Sequence, residues 1–360
     1  MPLQPTSTAQ FAAHRAGALP PTEEFRPGVW SLAMPMASPQ LPYNLCTVIA
    51  ADDGMHVIDP GVDGAAQFER LADELAALGS GIADVATITA THLHGDHLGL
   101  AARLRAASGA RLLLHRAEDD ALPRLARQRA AELGRDGAPA PGAGAGPAAR
   151  DPDAETSRER RARWGVPPEE SRSISASAAA DGETAGLPRA DVRLEDGDLL
   201  PIPGRRIAAI HTPGHTTGHL ALRDAEGGVI YTGDHVLPAM TSGLGLGARS
   251  ETNPVAEYLE GLERIAVFDA DEVSPGHQFR FRGLAERCAA LAEHHLRRTR
   301  EVAAVLARED DPTVWRVASQ LRWSAGWDGL DGFVLGSALA QTEMHMAFVR
   351  SGLAAAHLEG

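Results

Sequence analysis

The stretch Thr91-His92-Leu93-His94-Gly95-Asp96-His97 places three histidines and a carboxylate within six positions, directly after the apolar run VATITA. A lone histidine at a strand end is usually a hydrogen-bonded polar group. Four such groups packed together crowd like metal ligands, and would repel if protonated, unless a cation organises them. Alternate residues of an extended segment point the same way, so His92, His94 and Asp96 can face one site while the turn at Asp96-His97 brings His97 in. Three more candidates repeat one position type, a strand end followed by a glycine-containing turn: His215 in HTPGHTTGH, Asp234 in YTGDH and His277 in SPGHQ. Together they supply seven nitrogen and oxygen ligands. That set suits two adjacent divalent cations, one on His92, His94 and His215, the other on Asp96, His97 and His277, with Asp234 bridging. No thiolate takes part, so zinc is the first expectation, two per chain, with iron or manganese next.

Composition narrows the chemistry from the other side. All 34 basic residues of the 360 are arginine, and no lysine occurs. Schiff-base chemistry, pyridoxal phosphate anchoring, a Walker lysine and a Ser–Lys dyad are therefore excluded. Against the arginines stand 48 acidic residues, for a net charge of −14. Such a balance repels polyanions, so neither nucleic acid nor an anionic membrane is expected as the main partner. Cys46 and Cys288 form no CxxC pair or disulfide framework. The N-terminal residues have no apolar h-region and no apolar run reaches membrane-spanning length, which makes a cytoplasmic protein the expectation.

The elements that must position these residues are short apolar runs alternating with amphipathic stretches, the pattern of a mixed α/β domain. LCTVIA, MHVIDPG, VATITATH, RLLLH, LLPIPGRRIAAIHTPG, HLALRD, GGVIYTGDH and EVSPGH read as strand-like runs, with helices near 65–78, 98–108, 116–133 and 254–268. Residues 1–27, rich in Pro, Ala and Thr, are expected to be a loosely tied arm. A catalytic domain over 28–282 follows, interrupted by an insertion at 116–190 that holds a flexible Ala/Gly/Pro linker at 134–153. Trp164 and the acidic turn at 168–172 are candidate lid elements in that insertion. From 283 to 360 the pattern turns helical, with HH-x-x-R-x-x-E-V at 294–302 its most distinctive motif.

The strings THLHGDHLG, TPGHTTGH, TGD and PGH, with VIDPG upstream, resemble in order and context the motifs of the metallo-β-lactamase-fold hydrolase superfamily, over residues 55–277. The resemblance implies an α/β (α+β) fold, a four-layer αββα sandwich with the metals at the ends of two packed sheets. It implies that Asp59 supports the ligands from behind. His219 and His235, beside ligands, are expected either to support the site or to hydrogen-bond substrate. The helical tail looks like that of members with a winged-helix-like module, with a truncated wing or none, since few residues follow the last helix; such a tail is compatible with a homodimer. A true β-lactamase of the commonest kind has cysteine where Asp234 stands, so antibiotic hydrolysis is not expected. Relatives that cleave glutathione thioesters or RNA precursors commonly use lysines, which this chain lacks.

The chemistry expected of such a site is hydrolysis. Two cations would lower the pKa of a bridging water from about 15.7 toward 7. Asp96 is the expected catalytic carboxylate, orienting that hydroxide toward the carbonyl of a small-molecule ester, thioester or lactone. The alternative in the same fold is a mononuclear iron oxygenase of thiols or persulfides on His92, His215 and Asp234, which leaves Asp96, His97 and His277 without a role. A phosphodiester hydrolase and a binding protein with a vestigial site are weaker alternatives.

Overall fold

The structure is a computed structural model. It describes residues 3–38, 40–136, 155, 157–170, 187–247 and 249–358. The chain divides into two compact units, residues 1–122 with 186–293, and residues 123–185 with 294–360.

The first unit is the αββα sandwich. Its strands in chain order are β1 Gln4–Pro5, β2 Glu23–Arg26, β3 Val29–Pro35, β4 Tyr43–Ala51, β5 Gly54–Ile58, β6 Val85–Thr89, β7 Arg111–His115, β8 Val192–Leu194, β9 Ile207–His211, β10 Leu220–Asp224, β11 Val229–Gly233, β12 Glu272–Pro275 and β13 Phe281–Arg282. One sheet runs β2-β3-β4-β5-β6-β7-β8 and the other β1-β13-β12-β11-β10-β9. Val29, Ile49, Ile58, Leu113 and Leu194 of the first sheet pack with Ile207, Leu220, Leu222 and Val229 of the second. Aliphatic residues fill this interface, as the scarcity of aromatics requires. Each contributes about 1.5–3 kcal/mol of burial free energy.

Helices α1 Thr8–Ala16, α2 Ala65–Ala77, α3 Gly95–Leu98 and α4 Ala101–Ser108 also belong to this unit. Helix α5, Arg116–Asp136, leaves it, and α6, Ser157–Arg163, lies in the second unit; α7, Pro254–Ala266, returns to the sandwich. Helix α7 starts where the sequence places it. The Asn253 side chain accepts from the Val255 and Ala256 amides, and Pro254 sits in the first turn. Its Tyr258, Leu259, Leu262 and Ile265 are buried, a helical spacing that turns one face inward.

Strands β5, β6 and β7 are parallel, as are β11 and β12. Ligands of open α/β sheets collect at the carboxyl ends of parallel strands. Asp59 follows β5, the HLHGDH stretch follows β6, Asp234 follows β11 and His277 follows β12, while His215 lies in the β9–β10 turn. Two backbone bonds tie the sheets together here: Leu45 N–H to Gly276 O at 2.7 Å and Leu220 N–H to Thr91 O at 2.8 Å.

Residues 1–27 are not a loose arm. Gln4–Pro5 pairs antiparallel with Phe281–Arg282. Ser7 Oγ caps α1 by accepting from Gln10 N–H at 3.1 Å. Buried Gln10 donates to Ser31 Oγ at 2.9 Å and accepts from Arg280 N–H at 2.9 Å. Phe11 packs edge-on against Phe279. Small polar residues that read as linker are instead satisfying buried backbone groups.

The second unit contains α6 and, from the tail, the greater part of α8 Leu284–Leu306, with α9 Val314–Ala318, α10 Gly332–Arg350 and α11 Ala355–Leu358. No strand follows β13 among the described residues. Its core gathers Val302, Val305, Val317, Leu335 and Leu339 around Trp164, which is 4% exposed. Trp164, expected in a lid, is thus a core residue of the helical unit, and Trp315 N–H donates to its carbonyl at 2.9 Å. The linker expected at 134–153 falls mostly outside the described residues, as does the end of the 168–172 turn. Among the described residues no helix is long and apolar enough to cross a membrane.

Candidate metal centre

All seven expected ligands come together, as two groups with Asp234 between them. In the first group His92 Nε2 lies 2.9 Å from His94 Nδ1, and His215 Nε2 lies 3.1 Å from the same atom. The outward nitrogen of each ring is already committed. His92 Nδ1 faces Thr91 Oγ1 at 3.1 Å, whose own proton goes to Asp59. His94 Nε2 donates to Leu246 O at 3.0 Å and His215 Nδ1 to Gly243 O at 2.6 Å. Those bonds fix the tautomers, so the three converging nitrogens present lone pairs to one another. A single proton cannot satisfy three acceptors; a cation can.

The second group follows the same logic. His97 Nδ1 donates to Asp59 Oδ2 at 2.8 Å and His277 Nδ1 to Tyr43 O at 2.8 Å. Their Nε2 atoms face carboxylates instead. His277 Nε2 is 3.2 Å from Asp96 Oδ2 and 3.4 Å from Asp234 Oδ1, and His97 Nε2 is 3.5 Å from Asp234 Oδ1. Asp234 Oδ2 lies 3.8 Å from His215 Nε2, so its two oxygens reach toward both groups. His97 Nε2, His277 Nε2 and Asp234 Oδ1 are buried and make no hydrogen bond. Three buried polar atoms aimed at one point carry a desolvation cost that a bound cation would offset. His92–His94–His215, His92–His97–Asp234 and Asp96–His97–His277 each bring ligand atoms within 4.8 Å of one another.

The groups differ electrostatically. Burial, then the neighbouring His97, His94 and His215, holds the His92 imidazole well below its ordinary range. Burial and His94 lower His215 to about 4. Burial lowers His94 as well, against the pull of Asp96 and Asp234, so all three rings of the first group are shifted toward the neutral form. In the second, burial opposes the charged form of His277, but Asp234 and Asp96 overcome it and carry His277 up to about 10. Burial likewise works against His97, and Asp59, Asp96 and Asp234 prevail. Without a cation, these carboxylates draw protons onto both rings.

Supporting residues set these positions. Asp59 accepts from Thr91 N–H at 2.7 Å, from Thr91 Oγ1 at 2.8 Å and from His97. It does so from φ 54°, and Gln278, beside His277, sits at φ 76°. Left-handed backbone at two non-glycine residues is the kind of strain that clusters at functional sites. Gly276 leaves room for the crossing side chains, because a Cβ there would lie 2.6 Å from Asp234 Oδ1 and 2.7 Å from His97 Cε1. His219 Nε2 accepts from Asp234 N–H at 3.1 Å and its Nδ1 meets Thr212 Oγ1 at 2.9 Å, so this ring holds the Asp234 backbone. His235 is buried 4.6 Å from the Tyr258 ring, with no hydrogen bond to either ring nitrogen. The glycine-rich segment after Asp234 supplies the carbonyls that orient His94 and His215.

Sequence reasoning missed Glu118. It is fully buried in the first turn of α5, accepts from Leu93 N–H at 3.0 Å and also from Gly218 N–H, and so ties the His92–His97 loop to the His215 loop. Burial raises its carboxyl to about 7, against the pull of those donors. Its neighbours Asp119, paired with Arg189, and exposed Asp120 look the same in sequence. Only the tertiary contact separates them.

The profile of the metallo-beta-lactamase superfamily matches residues 41–277, well over half of the chain, and every residue above except Gln278 falls inside that span. The chain belongs to the metallo-beta-lactamase superfamily. Among superfamily proteins, a metallo-beta-lactamase family protein of Thermus thermophilus has a similar structure, with a TM-score of 0.70 at 25% identity over 91% of this chain and 95% of that one. A Beta-lactamase-like protein 2 homolog of Caenorhabditis elegans is 26% identical over 134 residues, 37% of this chain and 43% of that protein. A hydroxyacylglutathione hydrolase of Cereibacter sphaeroides is 29% identical over 141 residues, 39% of this chain and 52% of that protein. The matched region thus spans about half the length of these curated relatives.

Proposed function

We propose that this superfamily member is a metal-dependent hydrolase with a dinuclear centre, acting on a small-molecule ester, thioester or lactone. The observation that carries the reading is the double set of converging ligand atoms: His92 Nε2 and His215 Nε2 within 3.1 Å of a third imidazole nitrogen, His94 Nδ1, and three unsatisfied atoms on His97, His277 and Asp234. His92, His94 and His215 would hold one cation, Asp96, His97 and His277 the other, and Asp234 would reach both. Imidazole and carboxylate donors without thiolate favour zinc. Bound there, two such ions supply Lewis acidity toward a carbonyl and acidify a water molecule at neutral pH.

The chain's own groups do the rest. Asp96, whose side chain is 17% exposed against 9% for Asp234, is the carboxylate placed to orient a water entering from solvent and to hold its proton at an Oδ atom. Asp59, His219 and Glu118 keep the donor atoms aimed, so no reorganisation accompanies the reaction. The similarity to a hydroxyacylglutathione hydrolase supports acyl cleavage and keeps thioesters in the substrate class despite the absence of lysine. Arginine is the permanent cation left to grip an anionic substrate. A mononuclear iron oxygenase would leave the second group of donors unsatisfied. The test is metal analysis coupled to a panel of esters, thioesters, lactones and phosphodiesters. Turnover of an acyl substrate that is lost on chelation and regained with zinc supports the reading; oxygen uptake with one iron per chain, or cleavage confined to phosphodiesters, overturns it.

A further inference from the structure

The helical unit contains a second concave site with its own chemistry. A pocket of about 270 Å³ is lined by Arg297, Arg298 and Glu301 of α8 and by Arg322, Trp323 and Ser324 of the loop after α9. Three guanidiniums face one carboxylate there, an excess of two positive charges on a chain whose total is −14. Arg298 is fixed: it donates to Glu301 Oε2 at 2.8 Å and to Arg322 O at 2.8 Å, and its guanidinium lies 4.1 Å over the Trp323 ring. The indole is anchored in turn by Trp323 Nε1–H to Ala318 O at 2.8 Å. Arg298 and Glu301 belong to the HH-x-x-R-x-x-E motif, and their contacts show that this part of the motif builds a rigid pocket floor.

Arg297 and Arg322 behave differently. Neither guanidinium pairs with a carboxylate among the described residues; Arg297 contacts His294 Nδ1 at 3.4 Å, and Arg322 bonds through its backbone, its N–H to Glu301 Oε2 and its carbonyl to Arg298. Elsewhere the arginines of this acid-rich chain commonly pair, as Arg103 with Asp63, Arg189 with Asp119, Arg264 with Asp196 and Arg316 with Glu309. Two uncompensated planar forks at one pocket match an oxyanion that accepts bidentate hydrogen bonds. The volume lies just under the ~300–1,000 Å³ typical of drug-sized ligands. It admits a phosphate with a small organic body and excludes a polymer from its interior.

We propose that this pocket is a binding site for a small dianion, inorganic phosphate or a compact phosphate monoester, with Arg297 and Arg322 as its principal donors. It lies in the helical unit and uses none of the proposed metal ligands, so it stands or falls apart from the hydrolase reading.

Isothermal titration of the full metal-loaded chain at fixed ionic strength tests it, with inorganic phosphate and phenyl phosphate as separate probes. Any phosphate held by the metals is common to native protein and variant, so the difference between them isolates this pocket. The expected result is one binding equivalent in the native chain that weakens at least tenfold in Arg297→Ala/Arg322→Ala, while acyl turnover stays within twofold. Tighter binding of phenyl phosphate would assign the site to monoesters through the Trp323 wall; equal binding would assign it to phosphate itself. An isotherm unchanged in the double variant overturns the proposal. So does a double variant that binds both probes normally and has lost single-stranded RNA binding instead.

Discussion

In the helical unit, His295 and His345 are buried and stack with ring centroids 5.8 Å apart. At the end of the sandwich, neighbouring rings among His92, His94, His97, His215 and His277 lie closer still, with centroids 4.1 to 5.2 Å apart. The two groups differ in where their hydrogen bonds point. His345 Nδ1 meets Thr299 Oγ1, and Thr299 Oγ1 donates to His295 O, so these bonds stay within the packed helices. Each sandwich imidazole instead commits its outward nitrogen to a carbonyl, a hydroxyl or Asp59, which leaves the inward nitrogens converging on one another or on Asp96 and Asp234. Burial and proximity are common to both regions. The direction of the second hydrogen bond is what distinguishes packing from a metal centre.

The comparison breaks most severely if proposed ligands are removed. Asp234→Ala is expected to lower bound metal and turnover by more than the ~10–100-fold typical of losing an outer-shell partner. Metal analysis and acyl-substrate kinetics on the same preparation check this. Glu118→Ala should fall within that ~10–100-fold range, because it frees two loops without removing a donor atom. Glu118→Gln should lie between it and the native chain: an amide can accept from Leu93 or Gly218 but turns an N–H toward the other.

Chelation sharpens the same contrast thermodynamically. A ligand that binds only the folded chain stabilises it, by about 2.7 kcal/mol at a hundredfold excess over its Kd. Thermal unfolding followed with and without chelator should show that loss in the native chain and little of it in Asp234→Ala.

The effect with the smallest change per step of its variable, one pH unit, belongs to the helical unit. Burial, with the Arg298 and His294 charges, lowers His345 to about 3, below the usual histidine value of about 6.5. The unfolded chain therefore takes up a proton first as pH falls. Stability from this group is complete above pH ~6.5 and declines from there toward pH ~3, by at most about 1.4 kcal/mol per pH unit. Four of the five tryptophans, Trp164, Trp315, Trp323 and Trp327, lie in this unit, so urea unfolding followed by their fluorescence reports on it. His345→Leu should flatten the acid slope; an unchanged slope would remove His345 from the account.

What could be read from sequence follows the same division. The HLHGDH stretch, His215, Asp234 and His277 are legible because each stands at a strand end in a short distinctive string. The strands β4 to β7 and β9 to β12 are legible as apolar runs bounded by turn residues. Glu118 is not, since its partners are 25 and 100 positions away. The N-terminal strands and Gln10 were hidden because their burial depends on Arg280 and Ser31, which no local pattern connects to them. Trp164 reads as a lid residue until its neighbours Val302 and Leu339 are seen around it.

The most direct test of the central claim is metal stoichiometry measured alongside turnover on the purified full chain. Two divalent ions per chain, with acyl hydrolysis falling as they are removed and returning as they are restored, is the predicted result. Full turnover with no bound metal, or with a single ion that adding more does not change, would contradict it.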